Sequence, residues 1–316
     1  MLKYSFVLPV YKGRYLRLAI DSILAQTYNE FELVIVNDCS PDNIDDIIFS
    51  YKDPRIKYYK NDYNIGGKDL VAQWNHSIKF SEGEYVILAS DDDIYDSEYL
   101  LKMDSLITRY PEVDAFRPSI TIINDKHEII RKYDSFRGKL SPLEYIWNLH
   151  RDKIGSAISY YVFNKAKLLS IGGFVNFPKA WGSDDATVML MGRDGIACAE
   201  EYLFSFRLSG ENISTTYDEN TVLQKLHASD LYYNFVKSYI NTVMVESQNS
   251  IDVEYAKVIM DDLDGLMQRN IRWIIDESSL KTLIRSLKYL RKSEYIDREF
   301  IIKRFARKVL RIFGIK

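Results

Sequence analysis

The stretch from Phe31 to Asp42 is FELVIVNDCSPD, and it decides the fold prediction. Its first six residues form an almost continuous apolar run, which is typical of a strand covered by helices on both faces. The polar residues that follow are turn formers and helix caps. A buried strand that ends in a capped turn is typical of parallel strand–helix–strand units, so the stretch predicts an α/β sheet.

The segments on either side continue this alternation through the first hundred residues. Strands are predicted at residues 4–10, 31–36, 56–60 and 84–89, and helices at residues 14–26, 44–51 and 68–80. Right-handed crossovers between such strands predict a mostly parallel, Rossmann-like sheet flanked by helices. Ligands of such sheets bind beyond the carboxyl ends of the strands. The loops expected there are residues 9–14, 37–42 and 90–96.

Composition and pattern set the domain organisation. The chain has 316 residues, of which 47% are hydrophobic and 28% charged, and this excludes a disordered chain. A net charge of −3 carries no basic signature, so we expect no nucleic acid partner. Prolines stop before about residue 220, where long helical periodicities begin. We therefore expect an α/β domain over residues 1–217 and a helical C-terminal region over residues 218–316.

Cysteine usage and the N-terminus indicate the compartment. Cys39 and Cys198 make no disulfide framework, and the first apolar run lacks a charged lead-in and a small-residue cleavage site. No stretch approaches the ~18 apolar residues of a membrane span. These features predict a cytoplasmic protein.

Three adjacent carboxylates, Asp91, Asp92 and Asp93, follow the strand predicted at residues 84–89. Neighbouring negative charges repel each other, and a divalent cation such as Mn²⁺ or Mg²⁺ would favour their ionised forms. The alternative is a solvated loop in which one aspartate caps the next helix. The triplet alone leaves both interpretations open.

Two further acidic elements have open roles. Asp38 ends the predicted strand of the first stretch, where it is either an Asx-turn residue or an acceptor for the N–H groups of a base or sugar. Asp184 and Asp185 follow Trp181 closely and precede an apolar run. One of the pair could cap a helix, and the other could be a general base that Trp181 helps to desolvate.

The order of these motifs resembles the inverting glycosyltransferases of family 2, which have the GT-A fold. The matching segments are YSFVLPVY at residues 4–11, AIDSILAQTY at 19–28, FELVIVNDCSPD at 31–42, NIG at 64–66, Asn75, and GEY at 83–85 before the triplet. The resemblance covers residues 4–215 in the correct order. It implies a metal-dependent hexosyltransferase of bacterial polysaccharide type.

The resemblance also implies donor-binding residues. By position, Pro9, Val10 and Tyr11 would line the nucleoside pocket, and Asn75 would contribute to donor binding. Asp38 would accept a hydrogen bond from the uracil or other base.

The same comparison implies roles for the acidic residues. Asp92 corresponds to the direct metal ligand, and Asp91 to the residue that faces the ribose and also serves the metal. Ser90 stands where the family usually has the first aspartate, so the division of roles within the triplet stays open. In some members a histidine near the end of the domain helps to hold the metal, and here Ser209 takes its place.

On the acceptor side, Asp185 corresponds to the second member of the family's Glu-Asp pair, which is the catalytic base. Asp184 and Trp181 would support it and the acceptor. The implied reaction moves one sugar from a nucleotide-diphosphosugar, with UDP as the first expectation, to a hydroxyl of a glycan or lipid-linked acceptor in cell-surface polysaccharide synthesis. The QxxRW motif of processive synthases is absent, which favours addition of one sugar at a time.

Two other classes remain as alternatives. One is a non-catalytic nucleotide-sugar-binding protein with the same fold. The other is a sugar nucleotidyltransferase, which would need a glycine-rich basic phosphate loop near the first strand. Residues 10–14 contain a single glycine, so this class is disfavoured.

The segment 300–316 is basic and has no acidic residue. Its basic side chains are Lys303, Arg304, Arg307, Lys308, Arg311 and Lys316. Apolar residues recur there three and four apart, as in helices that lie in a membrane interface. The alternative is a helix packed on the protein body with its charges in solvent. We expect peripheral contact with anionic lipid at the inner face of the cell membrane.

Overall fold

The computed structural model describes residues 2–210, 212–246 and 250–312. The chain divides into two compact units, the first comprising residues 1–176 and 187–209 and the second residues 177–186 and 210–316. The short segment 177–186 therefore groups with the C-terminal helices, although it lies inside the range 1–217 expected for the α/β domain.

The first unit is built on a sheet that has ten strands among the described residues. The strands are β1 (Tyr4–Val10), β2 (Phe31–Asn37), β3 (Ile56–Lys60), β4 (Tyr85–Leu88), β5 (Ile94–Tyr95), β6 (Ala115–Ile123), β7 (Ile129–Lys132), β8 (Gly138–Leu140), β9 (Val162–Asn164) and β10 (Ile196–Arg207). Their order is β3-β2-β1-β4-β9-β6-β10-β5, with β7 beside β6 and β8 beside β10.

The predicted α/β fold is confirmed, and its parallel part is the half that contains the first four strands. There β1 pairs in parallel with β2 and β4, and β2 pairs in parallel with β3. The short strand β9 is antiparallel to both β4 and β6. Beyond it the sheet is mixed, because β10 is parallel to β6 but antiparallel to β5 and β8.

Helices connect and cover these strands. They are α1 (Leu16–Leu24), α2 (Ile44–Phe49), α3 (Leu70–Ser77), α4 (Tyr99–Arg109), α5 (Pro142–His150), α6 (Lys165–Ser170) and α7 (Ser183–Met191). Leu16, Ala19, Ile20 and Ile23 of α1, which are spaced three and four apart, are buried. The side chains of Asn43 and Asp69 accept hydrogen bonds from the first turns of α2 and α3. Capping and periodicity thus determine where these helices begin and which face they bury.

The second unit is helical, as the periodicity predicts. Its long elements are α8 (Glu219–Glu246), α9 (Ser250–Glu277), α10 (Leu280–Leu290) and α11 (Arg298–Ile312). Apolar residues of α8 and α9, among them Val236 and Leu263, are buried. Across the described ranges, no helix is both long and apolar enough to span a membrane.

The alignment of β4 on β1 depends on a close approach at Gly83. Its N–H donates a hydrogen bond to the Ser5 hydroxyl at 2.8 Å. A Cβ atom at residue 83 would lie 2.7 Å from the backbone carbon of Tyr4 and 2.8 Å from the backbone nitrogen of Ser5. Such distances cannot be relieved by a side-chain rotation, so β1 and β4 would have to separate locally.

We predict that Gly83→Ala lowers the free energy of unfolding by about 1–3 kcal/mol, because it overpacks a rigid strand junction. The matched control is Gly13→Ala, whose Cβ would lie 3.5 Å from its nearest neighbours. Urea unfolding of both variants measures the difference. Equal stabilities would contradict the importance of this contact.

Candidate functional site

Hydrogen bonds join the loops at the carboxyl ends of β1, β2 and β4. The Asp91 carboxylate accepts from the backbone N–H groups of Tyr11 at 3.2 Å and Lys12 at 2.9 Å. The Asp42 carboxylate accepts from the N–H of Gly13 at 2.8 Å. The loop after β1 is therefore held by an aspartate from each neighbouring loop, as expected for the ligand edge of a parallel sheet.

Asp38 is 3% exposed and anchors the segment that follows β3. Its Oδ1 accepts from the Asn61 side-chain amide at 2.8 Å and from the N–H of Ile65 at 2.9 Å. Its Oδ2 accepts from the N–H of Gly66 at 2.7 Å. A carboxylate offers about four acceptor positions, so the donors among the described residues leave one on Oδ2. The base-binding role of Asp38 stays a prediction.

The three residues predicted to line the nucleoside pocket lie along the end of β1. Val10 is buried, Pro9 is half-buried and Tyr11 is 43% exposed. Tyr11 thus presents an accessible ring at the sheet edge, where an aromatic ring can stack on a planar base. Its backbone is fixed by the carboxylate of Asp91.

Asn75 lies on α3 and holds a glycine turn of the same unit. Its amide donates to the carbonyl of Phe174 at 3.2 Å and accepts from the N–H of Phe174 at 2.8 Å. A Cβ at Gly173 would lie 2.2 Å from the Asn75 side chain, so only glycine fits there. This gives Asn75 a structural role, and its predicted part in donor binding remains untested.

Asp93 is the structural member of the triplet. It is fully buried, and its carboxyl oxygens accept from the N–H of Arg207 at 2.9 Å and the hydroxyl of Ser159 at 2.8 Å. Burial and the charge of Asp92 raise the pKa of Asp93 well above its usual value. Asp93 therefore ties the end of β4 to β10 instead of facing a ligand.

Asp92 is half-buried and lies between two serines. Its Oδ1 accepts from the Ser90 hydroxyl at 2.5 Å, and its Oδ2 from the Ser209 hydroxyl at 3.5 Å. Burial raises the pKa of Asp92, while Ser90 and the charges of Lys12 and Arg207 oppose the rise. Ser209, which takes the position of the family's histidine, therefore contacts the residue predicted to bind metal.

Negative charge at this edge is only partly compensated. Burial and the neighbouring Asp92 raise the pKa of Asp91 to about 6, against the lowering effect of the Lys12 backbone and charge. Removal of water from adjacent carboxylates disfavours their ionised forms, and a bound cation reverses this effect.

The residues at this edge fit a hard divalent cation. Over the described residues, no cluster of three His, Cys, Asp or Glu side chains could hold a metal by itself. Mg²⁺ and similar ions commonly use one or two carboxylates together with substrate phosphates. Asp92, with Asp91 beside it, offers such hard oxygen ligands at the strand end.

Arg207 is a supporting residue that the sequence did not reveal. It is fully buried at the end of β10, and its Nε donates to the backbone carbonyl of Asp92 at 2.8 Å. Its Nη1 donates to the carbonyl of Asn124 at 3.1 Å, and its guanidinium lies 4.6 Å from the centre of the Tyr15 ring. Arg207 thereby fixes the backbone of the triplet, through contacts that span more than eighty residues of sequence.

Asp184 and Asp185 lie in the first turn of α7 and belong to the second unit. The N–H of Asp185 donates to the Asp184 carboxylate at 3.0 Å, and Asp185 is 9% exposed. A helix N-terminus favours ionised carboxylates. Burial, followed by the charges of these two aspartates, raises the pKa of Tyr232 well above its usual value, so this phenol stays protonated near them.

Comparison with known proteins gives the family. The sequence model for glycosyl transferase family 2 matches residues 5–167, more than half of the chain. The chain belongs to glycosyl transferase family 2.

Curated relatives match over different lengths. An uncharacterized glycosyltransferase of Rickettsia typhi is 42% identical over 92 residues, which cover 29% of this chain and 27% of that protein. An uncharacterized glycosyltransferase of Haemophilus influenzae is 24% identical over 319 residues, or 95% of each chain. A candidate colanic acid biosynthesis glycosyl transferase of Escherichia coli, WcaA, is 36% identical over 92 residues, 28% of this chain and 32% of that protein. The chain thus spans about a quarter of the Rickettsia relative and nearly all of the Haemophilus relative.

Solved structures share the fold. Staphylococcus aureus TarS 1-349 in complex with UDP-GlcNAc aligns with a TM-score of 0.59 at 17% identity, over 99% of this chain and 92% of that chain. The mannosyltransferase PcManGT of Pyrobaculum calidifontis, in complex with GDP-Man and Mn²⁺, aligns with a TM-score of 0.52 at 12% identity, over 97% of this chain and 87% of that chain. The expected GT-A fold is therefore confirmed.

We predict that Asp92 and Asp93 contribute differently to the free energy of unfolding. Asp93→Ala leaves a buried N–H and a buried hydroxyl without their acceptor, which typically costs about 1–3 kcal/mol for each group. Asp92→Ala removes a half-buried carboxylate and should change the free energy of unfolding by less than about 1 kcal/mol. Urea unfolding of both variants compares them, and a larger loss for Asp92→Ala would reverse these assignments.

Proposed function

We propose that this chain is an inverting, metal-dependent glycosyltransferase. It transfers one sugar from a nucleotide-diphosphosugar, with a UDP-sugar as the first candidate, to a hydroxyl of a glycan or lipid-linked acceptor in cell-surface polysaccharide synthesis. The observation that carries the proposal is the hydrogen bonding between the loops that follow β1 and β4. The Asp91 carboxylate fixes the backbone of Tyr11 and Lys12, and this places the loop after β1 next to the aspartate triplet. Family membership and the donor complexes of the fold relatives support it.

On the donor side, the base would lie against the exposed ring of Tyr11, within reach of the remaining acceptor position on Asp38. The diphosphate would lie over the triplet, where Asp92 and Asp91 would hold Mn²⁺ or Mg²⁺ and Lys12 would add positive charge. When bound, the cation neutralises charge on the departing diphosphate.

On the acceptor side, Asp185 would act as the general base. It takes the proton of the acceptor hydroxyl while that oxygen forms a bond to the anomeric carbon. The bond from this carbon to the donor phosphate oxygen breaks, and the nucleoside diphosphate leaves with the bonding electron pair. Attack from the face opposite the leaving group inverts the anomeric configuration. The first turn of α7 suits this role because the positive end of the helix dipole favours negative charge there.

We predict that Asp185→Asn and Asp92→Ala fail in different steps. Asp185→Asn should lower kcat by about 10²–10⁴-fold, as the loss of a general base does, and keep donor affinity. Asp92→Ala should weaken donor binding and remove its response to Mn²⁺. Turnover assays and calorimetric titration with UDP-sugars, with and without Mn²⁺, measure the two steps.

The outcomes separate the alternatives. A wild-type chain that binds UDP-sugars but transfers to no acceptor would favour the non-catalytic class. Turnover by Asp185→Asn at the wild-type rate would overturn the base assignment, and an unchanged metal response in Asp92→Ala would reduce the triplet to a solvated loop.

The C-terminal helix α11 shows an unusual distribution of side chains. Arg304 and Lys308 turn inward to the C-terminal end of α9, where Arg304 pairs with the Asp276 carboxylate at 3.0 Å and Lys308 donates to its carbonyl at 3.0 Å. In contrast, Ile302 is 66% exposed and Phe305 36% exposed. Helix α11 therefore packs on α9 through two of its basic residues, while apolar side chains lie on its exposed side. Residues 313–316 of the predicted tail lie outside the described residues.

We further propose that α11 contacts an anionic lipid surface at the cytoplasmic face of the membrane. Ile302, Phe305 and Leu310 would enter the interface, since they recur on the outward side of the helix. The exposed Lys303 and Arg307 would face the lipid headgroups. This partner is chosen on charge complementarity, and a membrane-bound acceptor would give the contact a purpose.

We predict that the full chain sediments with anionic vesicles at low salt and is released by high salt, which screens the basic residues. The double variant Ile302→Ser/Phe305→Ser should lose this binding. The matched control is Ile129→Ser/Ile130→Ser, which removes two side chains on β7 that are 56% and 53% exposed. Equal sedimentation of the two double variants, or none by the wild type, would contradict the proposal.

A further inference from the structure

The backbone before Asp185 is strained. Lys179 and Ala180 have φ angles of 57° and 55°, and Gly182 has a φ of 79°. The left-handed region costs a residue with a Cβ roughly 1–2 kcal/mol. Two such residues in succession persist only where their surroundings hold them, and such strain concentrates at functional sites.

Helix α8 supplies these surroundings within the second unit. A Cβ at Gly182 would lie 3.1 Å from the ring of Tyr232, so this ring packs directly on the turn. Phe177, at the start of the strained segment, contacts the rings of Tyr232 and Phe235 edge-on. The N–H of Phe177 donates to the Ser183 hydroxyl at 3.0 Å, which closes the segment on itself.

Lys225 is the polar part of this support. It lies two turns before Tyr232 on α8 and is fully buried. Its Nζ donates to the carbonyls of Ser214 and Thr216, each at 3.0 Å. The same ammonium lies 4.6 Å from the ring centres of Trp181 and Tyr217.

We propose that Lys225 is a positioning residue for Asp185: its ammonium holds the Trp181 ring and the 214–216 backbone, and so fixes the turn that presents the base. This inference rests on the proposed function. A cation between two aromatic faces and two carbonyls attracts all four groups at once, whereas a neutral side chain of the same length would hold none of them electrostatically.

Burial disfavours the charged form of Lys225 relative to the neutral amine. Burial lowers the pKa of Lys225 to about 8, while the charge of Asp218 raises it. Below pH 8 the folded and unfolded states are both protonated, so the full penalty of burying the charge is present. Between pH 8 and the unfolded pKa, the folded state releases its proton and the penalty falls. Tyr217 is a second titratable group that faces Lys225, and the charge of Lys179 acts on Asp218.

The test compares Lys225→Met and Lys225→Arg with Lys237→Met, which removes a half-buried lysine of the same helix that pairs with Glu294. We expect wild-type kcat to fall as the pH rises through 8, because the neutral amine no longer attracts the Trp181 ring. Lys225→Met should lower kcat at pH 7 by about tenfold, as small misplacements of a catalytic group do, and keep the donor KM within twofold. Lys225→Arg should keep kcat at pH 7 and lose the decline above pH 8, since arginine stays charged. Lys237→Met should follow the wild type.

Stability measurements separate positioning from folding. Lys225→Met should melt within about 4 °C of the wild type at pH 7, because the loss of two hydrogen bonds and the removal of a buried charge act in opposite directions. If Lys225→Met does not fold, the dependence of kcat on pH in Lys225→Arg still tests the proposal. An alkaline decline in Lys225→Arg equal to that of the wild type, or a folded Lys225→Met with wild-type kcat, would overturn the proposal. Wild-type turnover in Asp185→Asn would instead overturn the base assignment on which it rests.

Discussion

The parallel pairing of β1 with β2 on one side and β4 on the other is the constraint on which the first unit depends. It brings three strand ends to one edge, where the loop after β1 is fixed by hydrogen bonds from its backbone N–H groups to the carboxylates of Asp91 and Asp42. Because Gly83 permits the close approach of β4, the triplet lies level with that loop. The chemistry proposed for this edge therefore depends first on the register of the strands, which brings the carboxylates together.

Much of this unit could be predicted from local sequence. Apolar runs and helical periodicity identified the first four strands and the helices between them, because both signals depend on neighbours within a few residues. The contacts that assign roles could not be found in this way. Asp93 and Asp92 are adjacent in sequence, yet one is buried against Arg207 and the other lies at the edge. The difference comes from β10, more than a hundred residues away.

In the second unit, too, long-range contacts could not be predicted from local sequence, and neither could the features that cost folding free energy. Periodicity predicted α8 and α9, but not that the segment 177–186 groups with them. The strain of its turn costs folding free energy and burial disfavours the charge of Lys225, yet neither feature has a local sequence signal. Both features have the same explanation, because Tyr232 and Lys225 of α8 contact Gly182 and Trp181, which precede Asp185. Strained backbone conformations are typical of active sites, where the geometry of the catalytic groups limits the catalytic rate.

We propose above all that the edge formed by β1, β2 and β4 binds a nucleotide diphosphate through a metal. A crystal structure of the full chain with UDP and Mn²⁺ tests it most directly. We predict that the base lies beside Tyr11 and Asp38, and that the ion directly contacts an Asp92 oxygen and the diphosphate. A nucleotide bound at another surface, or an ion that contacts the diphosphate but none of the triplet, would contradict it.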